Sequence, residues 1–380
     1  MDSGAVSRGV SKLSDPRESA SRTEGERASL GLGARPIRLM PMSDLVRDLS
    51  DWIEIPSVTG EEGDYGDALT MKLSEVGFDV ERQEVAPGRF NLLARAGAPE
   101  VVFCTHLDTV PPFFGVREDS EFIYGRGSCD AKGQAVSQIA AGVELLSRGE
   151  DRVGFLFTVG EEIDSVGAAH ANKHLADPWR PKYTIIGEPT GLTYCAGHKG
   201  IYKATLLAKG VPGHSSQAGG PSAIHELVGC CQRVLSADWG THPLFGEGNL
   251  NLGLIQGGIA PNVFADEASA VALFRTVEDP DVVEARLQGL LGEHVEITER
   301  WKGYAPIEFH VPEGRDSQVV AFGTDAPHMP DWGTPILMGP GAIIDAHTAG
   351  EKVAKKDLDF AVTEYANLAQ DLLSAAEANS

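Results

Sequence analysis

The chain has no apolar run long enough to span a bilayer and no apolar N-terminal segment of the kind a secretory signal needs. Basic residues are scarce: 32 Lys and Arg stand against 55 Asp and Glu, a formal net charge of −23. Such a chain repels nucleic acid and anionic membrane, so neither is an expected partner. Cysteine is sparse and unpatterned. Cys104, Cys129, Cys195, Cys230 and Cys231 form no C-x-x-C pair and are odd in number. A reduced, cytoplasmic protein fits this better than a disulfide framework. A P-loop and a dinucleotide-binding glycine fingerprint are also missing, and Ser215 and Ser216 do not sit in a G-x-S-x-G context. His170 and His174 lack the Glu of H-E-x-x-H and read as a solvated helix face.

What is present is a 380-residue chain, 42% hydrophobic, of a length that suggests two domains. Residues 1–39, rich in Ser, Gly, Arg and Glu, read as a disordered tail or gene-model extension, with Met40 or Met42 as the expected start. From Ser43, expected as a helix N-cap, apolar strands alternate with helices. That order predicts an α/β catalytic domain, a three-layer αβα arrangement around a mostly parallel sheet, spanning 40–196 and 305–380. Between them, 197–304 reads β-α-β-β-α-β, which predicts an inserted ferredoxin-like α+β domain.

Polar residues stand where apolar segments stop. "VVFCTHLDTVPP" ends a buried run at His106 and Asp108, which two-residue alternation puts on one side of a strand's C-terminal end. In open α/β sheets that edge is where ligands bind. "GRGSCDAKG" places Asp130 at a loop-to-helix junction, "TVGEEIDSVG" ends a strand at Glu161 and Glu162, and "IIGEPTG" ends another at Glu188. "GPGAIIDAHTAGE" presents His347 in a Gly-rich loop. Any one of these acids alone would be an ordinary solvated group. Several converging on one edge would repel unless a cation neutralises them, and mixed imidazole and carboxylate donors suit zinc, with cobalt or manganese as substitutes.

The ordered set "HLDTVP", "GRGSCDAKG", "GEE", "GEPTG", "GHSS" and "AHTAGE" resembles the dinuclear-zinc amidohydrolase and peptidase family that includes acetylornithine deacetylase, succinyl-diaminopimelate desuccinylase, aminoacylase and glutamate carboxypeptidase. The resemblance covers nearly all of the chain from Ser43. It implies hydrolysis of a linear amide with two Zn2+ per subunit: His106 and Glu188 on one ion, Glu162 and His347 on the other, Asp130 bridging. It makes Asp108 the partner that orients the His106 imidazole, and Glu161 the general base. It gives Asn262 and Arg275 the substrate carboxylate, and His214 a role in the active site of a partner subunit, so that 197–304 is also a lid through which a homodimer forms. Within the family the stretch around Asp325 is similar to acetylornithine deacetylases, with Asp325 placing a side-chain cation of an N-acyl amino acid. Pro327 stands where desuccinylases carry an arginine, and Gly350 where deacetylases carry Asp or Asn. Desuccinylation, acyl-lysine deacylation and carboxypeptidase or dipeptidase action are the alternatives. A metal-free binding protein is the alternative class, and the complete set of ligand positions stands against it.

Overall fold

The computed structural model describes residues 40–217 and 219–378. The expected tail, 1–39, lies outside them. Nine strands make one mixed sheet among the described residues. Its centre is parallel: Val153–Thr158, Val101–His106, Tyr183–Ile186 and Thr334–Leu337 lie side by side. Its flanks are antiparallel except for Ser317–Val320, which pairs parallel with Tyr194–His198, so the sheet is mixed where a mostly parallel one was expected. The cause on one side is a tight hairpin. Asp79–Ala86 turns back onto Arg89–Arg95 through Pro87 and Gly88, whose φ of +74° suits the residue without a Cβ.

Both faces of the sheet are buried. Along Val101–His106, Val101 and Phe103 join one core with Leu69, Ile139 and Leu358, while Val102 and Cys104 join another with Ala168, Trp179 and Trp332. This alternation between two apolar faces explains why the strand reads as an unbroken apolar run. The first helix is Met42–Ile53, and its N-cap position is Pro41, whose carbonyl accepts from Asp44 and Leu45. Ser43 falls inside the first turn instead of capping it.

A second sheet has the strand order Asn249–Gly257, Glu267–Thr276, Gly200–Lys209, Val295–Tyr304, antiparallel throughout. Helices Ala223–Ser236 and Pro280–Leu290 cover one face, burying Tyr202, Ala204, Leu206 and Phe274 against Leu227, Cys230, Val283 and Leu287. Asp279 caps the second helix by accepting from Asp281 N at 2.8 Å, with Pro280 at the first helical position. Alternation leaves Ile201, Lys203, Arg275 and Trp301 on the opposite face.

Candidate metal centre and active site

Three parallel neighbours end at the same edge. His106 is the last residue of Val101–His106, Glu161 and Glu162 follow Val153–Thr158, and Glu188 follows Tyr183–Ile186. Asp130 lies just before the helix Lys132–Ser147. His347 comes from the loop after Thr334–Leu337, in the left-handed region at φ +62°, a conformation a non-glycine residue adopts only when its surroundings hold it there.

These residues meet. The His106 Nε2 lies 2.9 Å from Asp130 Oδ1 and 4.0 Å from Glu188 Oε2. The His347 Nε2 lies 3.2 Å from Asp130 Oδ2 and 2.9 Å from Glu162 Oε2. The result is two donor triplets, His106–Asp130–Glu188 and Asp130–Glu162–His347, with Asp130 common to both. The Glu161 carboxylate belongs to neither and lines the adjoining cavity.

A further layer fixes this arrangement. The His106 Nδ1 donates to the Asp108 main-chain carbonyl at 2.9 Å, which fixes the ring and turns Nε2 toward Asp130. The Asp108 carboxylate approaches Nδ1 only to 3.5 Å. Its main partners are elsewhere: Oδ1 accepts from Gly160 N and Glu161 N, and Oδ2 from Glu162 N and the Thr59 hydroxyl. Asp108 therefore shapes the glutamate loop as well as the histidine. Behind Asp130, buried Glu351 accepts from the main-chain N–H of Gly127, Cys129 and Asp130 and pairs with buried Arg126. Buried Lys132 donates to Trp52 O and Ile55 O at the end of the first helix.

The electrostatics fit bound cations. Burial, reinforced by Glu188, holds the Glu161 carboxyl well above its ordinary range. Burial does the same to Glu188, with Asp130 and Glu162 adding to it and His106 opposing. Burial also works to raise Asp130, but hydrogen bonds from His106 and His347 prevail and lower it. Among the described residues, Asp130, Glu161, Glu162 and Glu188 have no lysine or arginine ion-paired with them. Asp130, Glu162 and Glu188 have the two histidines as ion-pair partners. Four acids around two imidazoles, with each Nε2 turned into the carboxylate cluster, match what a pair of divalent cations requires.

The adjoining cavity holds about 310 Å³. Arg275 lines it on the side of the second sheet. Asp325 does not line it. That residue is buried, and its Oδ2 accepts from the Thr158 hydroxyl at 2.5 Å. His214 and Asn262 lie together on the second sheet unit, where Ser215 N bonds Asn262 O and His214 pairs with Val263, but the structure does not bring them to the metal residues of the same chain. Three contributors escaped sequence reading. Glu351 lacks a periodicity to mark its burial, and Trp301 and Tyr304 stand in no motif that points to the site.

The sequence profile described as peptidase family M20/M25/M40 matches residues 102–371. The chain belongs to that family. It is an enzyme, a metallopeptidase acting on amide bonds. A peptidase M20 domain-containing protein of Schizosaccharomyces pombe is 35% identical over 343 residues, covering 86% of this chain and 84% of its own. A probable carboxypeptidase of Aspergillus clavatus is 32% identical over 378 residues, covering 89% and 90%. The fold is shared with an aminopeptidase of Bacillus cereus, at TM-score 0.74 and 20% identity over 87% of this chain and 98% of that one. It is shared too with a dinuclear metal binding M20 peptidase of Bacillus subtilis, at TM-score 0.68 and 15% identity over 88% and 98%. The relatives bear peptidase and carboxypeptidase names, so the resemblance narrows to the family and not to acetylornithine deacetylases. No helix among the described residues is long and apolar enough to cross a membrane.

Proposed function

We propose that this M20 peptidase hydrolyses the amide bond next to a free carboxylate, in small peptides or N-acyl amino acids, as a carboxypeptidase-type enzyme. The observation that carries the reading is the pair of donor triplets sharing Asp130, with unshared Glu161 beside them and Arg275 lining the same cavity. His106 and Glu188 would hold one ion, Glu162 and His347 the other, and Asp130 both. Zinc is the expected metal, with cobalt or manganese as substitutes. When bound, the pair would polarise the scissile carbonyl and make the attacking water more acidic.

The rest falls to side chains. Arg275 pairs its planar guanidinium with the substrate carboxylate, which sets the amide over the glutamates. Glu161 takes a proton from water as the water oxygen attacks the carbonyl carbon. It returns that proton to the nitrogen as the C–N bond breaks, so the products are a carboxylic acid and an amine. Two adjacent glutamates serve because a carboxylate held in coordination is a poor proton carrier. N-acetylornithine is the competing small substrate, but the similar proteins bear peptidase and carboxypeptidase names, and Asp325, the residue that favoured it, has one oxygen committed to the Thr158 hydroxyl.

The unit 197–304 acts in this reading as the lid and dimerisation domain, with His214 and Asn262 serving the site of a second subunit. Supporting it, Ile224 and Val228 on the helix and Leu254 and Ile255 on the edge strand are exposed apolar side chains.

The test is Glu161→Gln. It is expected to bind two metal ions per chain and lose turnover by about 100- to 10,000-fold. Run beside it, a substrate whose carboxylate is replaced by a carboxamide is expected to be a poor one. Near-normal turnover by the variant, or indifference to the carboxamide, would refute the assignment.

A further inference from the structure

The second sheet brings more than Arg275 to the cavity. Arg275 and Tyr304 both pair with Ile201, one from each neighbouring strand. Residues directly opposite in an antiparallel ladder share a face, so the three form one cross-strand row on the face the helices leave open. Two strand spacings separate the ends of that row by roughly 10 Å, a span that long side chains close. Trp301 belongs to the same face: it pairs with Lys203, whose ammonium sits 5.4 Å from the indole centroid. The alternation that buries Tyr202, Ala204 and Leu206 thus delivers a cation and two aromatic rings to the substrate side.

Tyr304 is held firmly. Its ring meets His198 edge-on at 5.3 Å and His328 at 5.9 Å. Its hydroxyl packs so closely on Gly323 that a Cβ there would overlap it. Phe322 lines the cavity next to it. At the rim stand Ile163 and Ile343, 69% and 46% exposed, with Trp301 at 41%. Large apolar side chains left in water around a concave charged site mark a binding surface. The acids that line the cavity are the metal-centre carboxylates, the proposed base Glu161, and Asp164, whose Oδ1 accepts from Val166 N, so each already has a task or a partner.

We infer that this wall is the subsite for the side chain of the residue that carries the free carboxylate, and that it selects an apolar or aromatic side chain over a cationic one. The inference rests on the amide-hydrolysis reading and deepens it. Arg275 and the two rings lie on one face, so a residue anchored by its carboxylate at the guanidinium projects its side chain along the aromatic surface. Trp301 is the specificity-determining residue, a large flat contact that binds only substrates long enough to reach it.

The experiment measures kcat/KM with one metal throughout, for glycine, leucine, phenylalanine and ornithine presented both as N-acetyl and as N-glycyl derivatives. Phenylalanine and leucine are expected to exceed ornithine by about tenfold or more, the usual reach of pocket-based discrimination. Trp301→Ala is expected to lower the phenylalanine value by about tenfold and to leave the glycine value within about twofold, because glycine has no side chain to place. Ile163→Ser, at an exposed position on the rim, is expected to move the values in the same direction should Trp301→Ala fold poorly. Ornithine equal to or better than phenylalanine, or variants that depress glycine as much as phenylalanine, would overturn the subsite alone. No hydrolysis of any of these compounds by metal-loaded enzyme, or an unchanged glycine value in Arg275→Gln, would overturn the carboxylate-anchored reading of the proposed function and the subsite with it.

Discussion

The Asp108 carboxylate accepts the main-chain N–H of Glu161 at 3.1 Å, and so holds the proposed general base by its backbone. The same carboxylate takes the N–H groups of Gly160 and Glu162 and the Thr59 hydroxyl, so both its oxygens are fully used. Asp108→Asn replaces one acceptor with an NH2 that faces donors. At least one buried donor then loses its partner, at a cost of about 1–3 kcal/mol. Urea unfolding of the metal-free proteins should show that loss, and kcat should fall while two metals still bind. An unchanged unfolding midpoint would remove Asp108 from this role.

Glu351 and Arg126 make a second test. Both side chains are essentially inaccessible to water, and Glu351 also collects three backbone N–H groups leading to Asp130. Glu351→Ala leaves a buried guanidinium unpaired, and breaking such pairs from one side costs about 3–5 kcal/mol. The paired change Arg126→Met with Glu351→Leu removes both charges and should be much less destabilising. It should nonetheless weaken metal binding, since the N–H groups of the 127–130 loop lose their acceptor. Isothermal titration with zinc and denaturant unfolding on the three proteins separate these effects. If the double variant binds zinc as wild type does, Glu351 does not position Asp130.

The dimer reading makes a third. The Asn249–Gly257 strand is an edge of its sheet, and its Leu254 and Ile255 are about 60% exposed beside Val228 of the neighbouring helix. An apolar edge of this kind invites a second chain. Val228→Asp with Ile255→Lys should convert dimer to monomer in light scattering. Because His214 would act on the partner's site, activity should fall with the dimer. A second check mixes His214→Ala with Glu161→Gln subunits under exchange, where some activity should return. A monomeric wild type, or no recovery despite demonstrated exchange, would count against the role in trans.

How much of this was legible in the sequence follows from where each signal lies. The meeting of His106, Glu162 and Glu188 reflects three apolar strands that each stop at a polar residue, a local pattern the eye can follow. The parallel pairing that puts those ends together follows from the helices between them. Glu351 was not legible as a support, because its Arg126 partner is 225 positions away and nothing nearby marks the contact. The setting of Asp325 was not legible for a related reason: sequence places a carboxylate near a site without saying what it bonds, and here one of its oxygens accepts from the Thr158 hydroxyl. The Asp79–Ala86 strand was overlooked because it is half-exposed and charged, so its alternation is weak. Trp301 and Tyr304 straddle an irregularity in register, which breaks the two-residue pattern that would otherwise have put them on the face of Arg275.

The fourth prediction concerns pH. His198 is fully buried at the end of its strand, between the rings of Tyr304 and Phe309. Its Nδ1 donates to the Lys199 carbonyl at 3.0 Å, and its Nε2 faces the Thr324 hydroxyl at 3.3 Å, so the ring is satisfied as the neutral species. Burial, with the charges of Arg275 and His328 adding to it against the hydrogen bond to Lys199, pushes its pKa down from 6.5 to about 4. The unfolded chain therefore binds this proton more readily than the folded one. The histidine contributes no penalty above the unfolded value, and stability falls as pH drops from 6.5 toward 4, levelling below that. A shift of this size corresponds to about 3 kcal/mol. Other groups titrate in the same window, so the quantity to measure is the difference between wild type and His198→Asn, whose amide can still donate to the Lys199 carbonyl. That difference should move in favour of the variant between pH 6.5 and 4 in denaturant titrations of the metal-free proteins, and it should be flat above pH 7. A wild type that loses no more stability than the variant over that range would mean that His198 takes up its proton in the folded state.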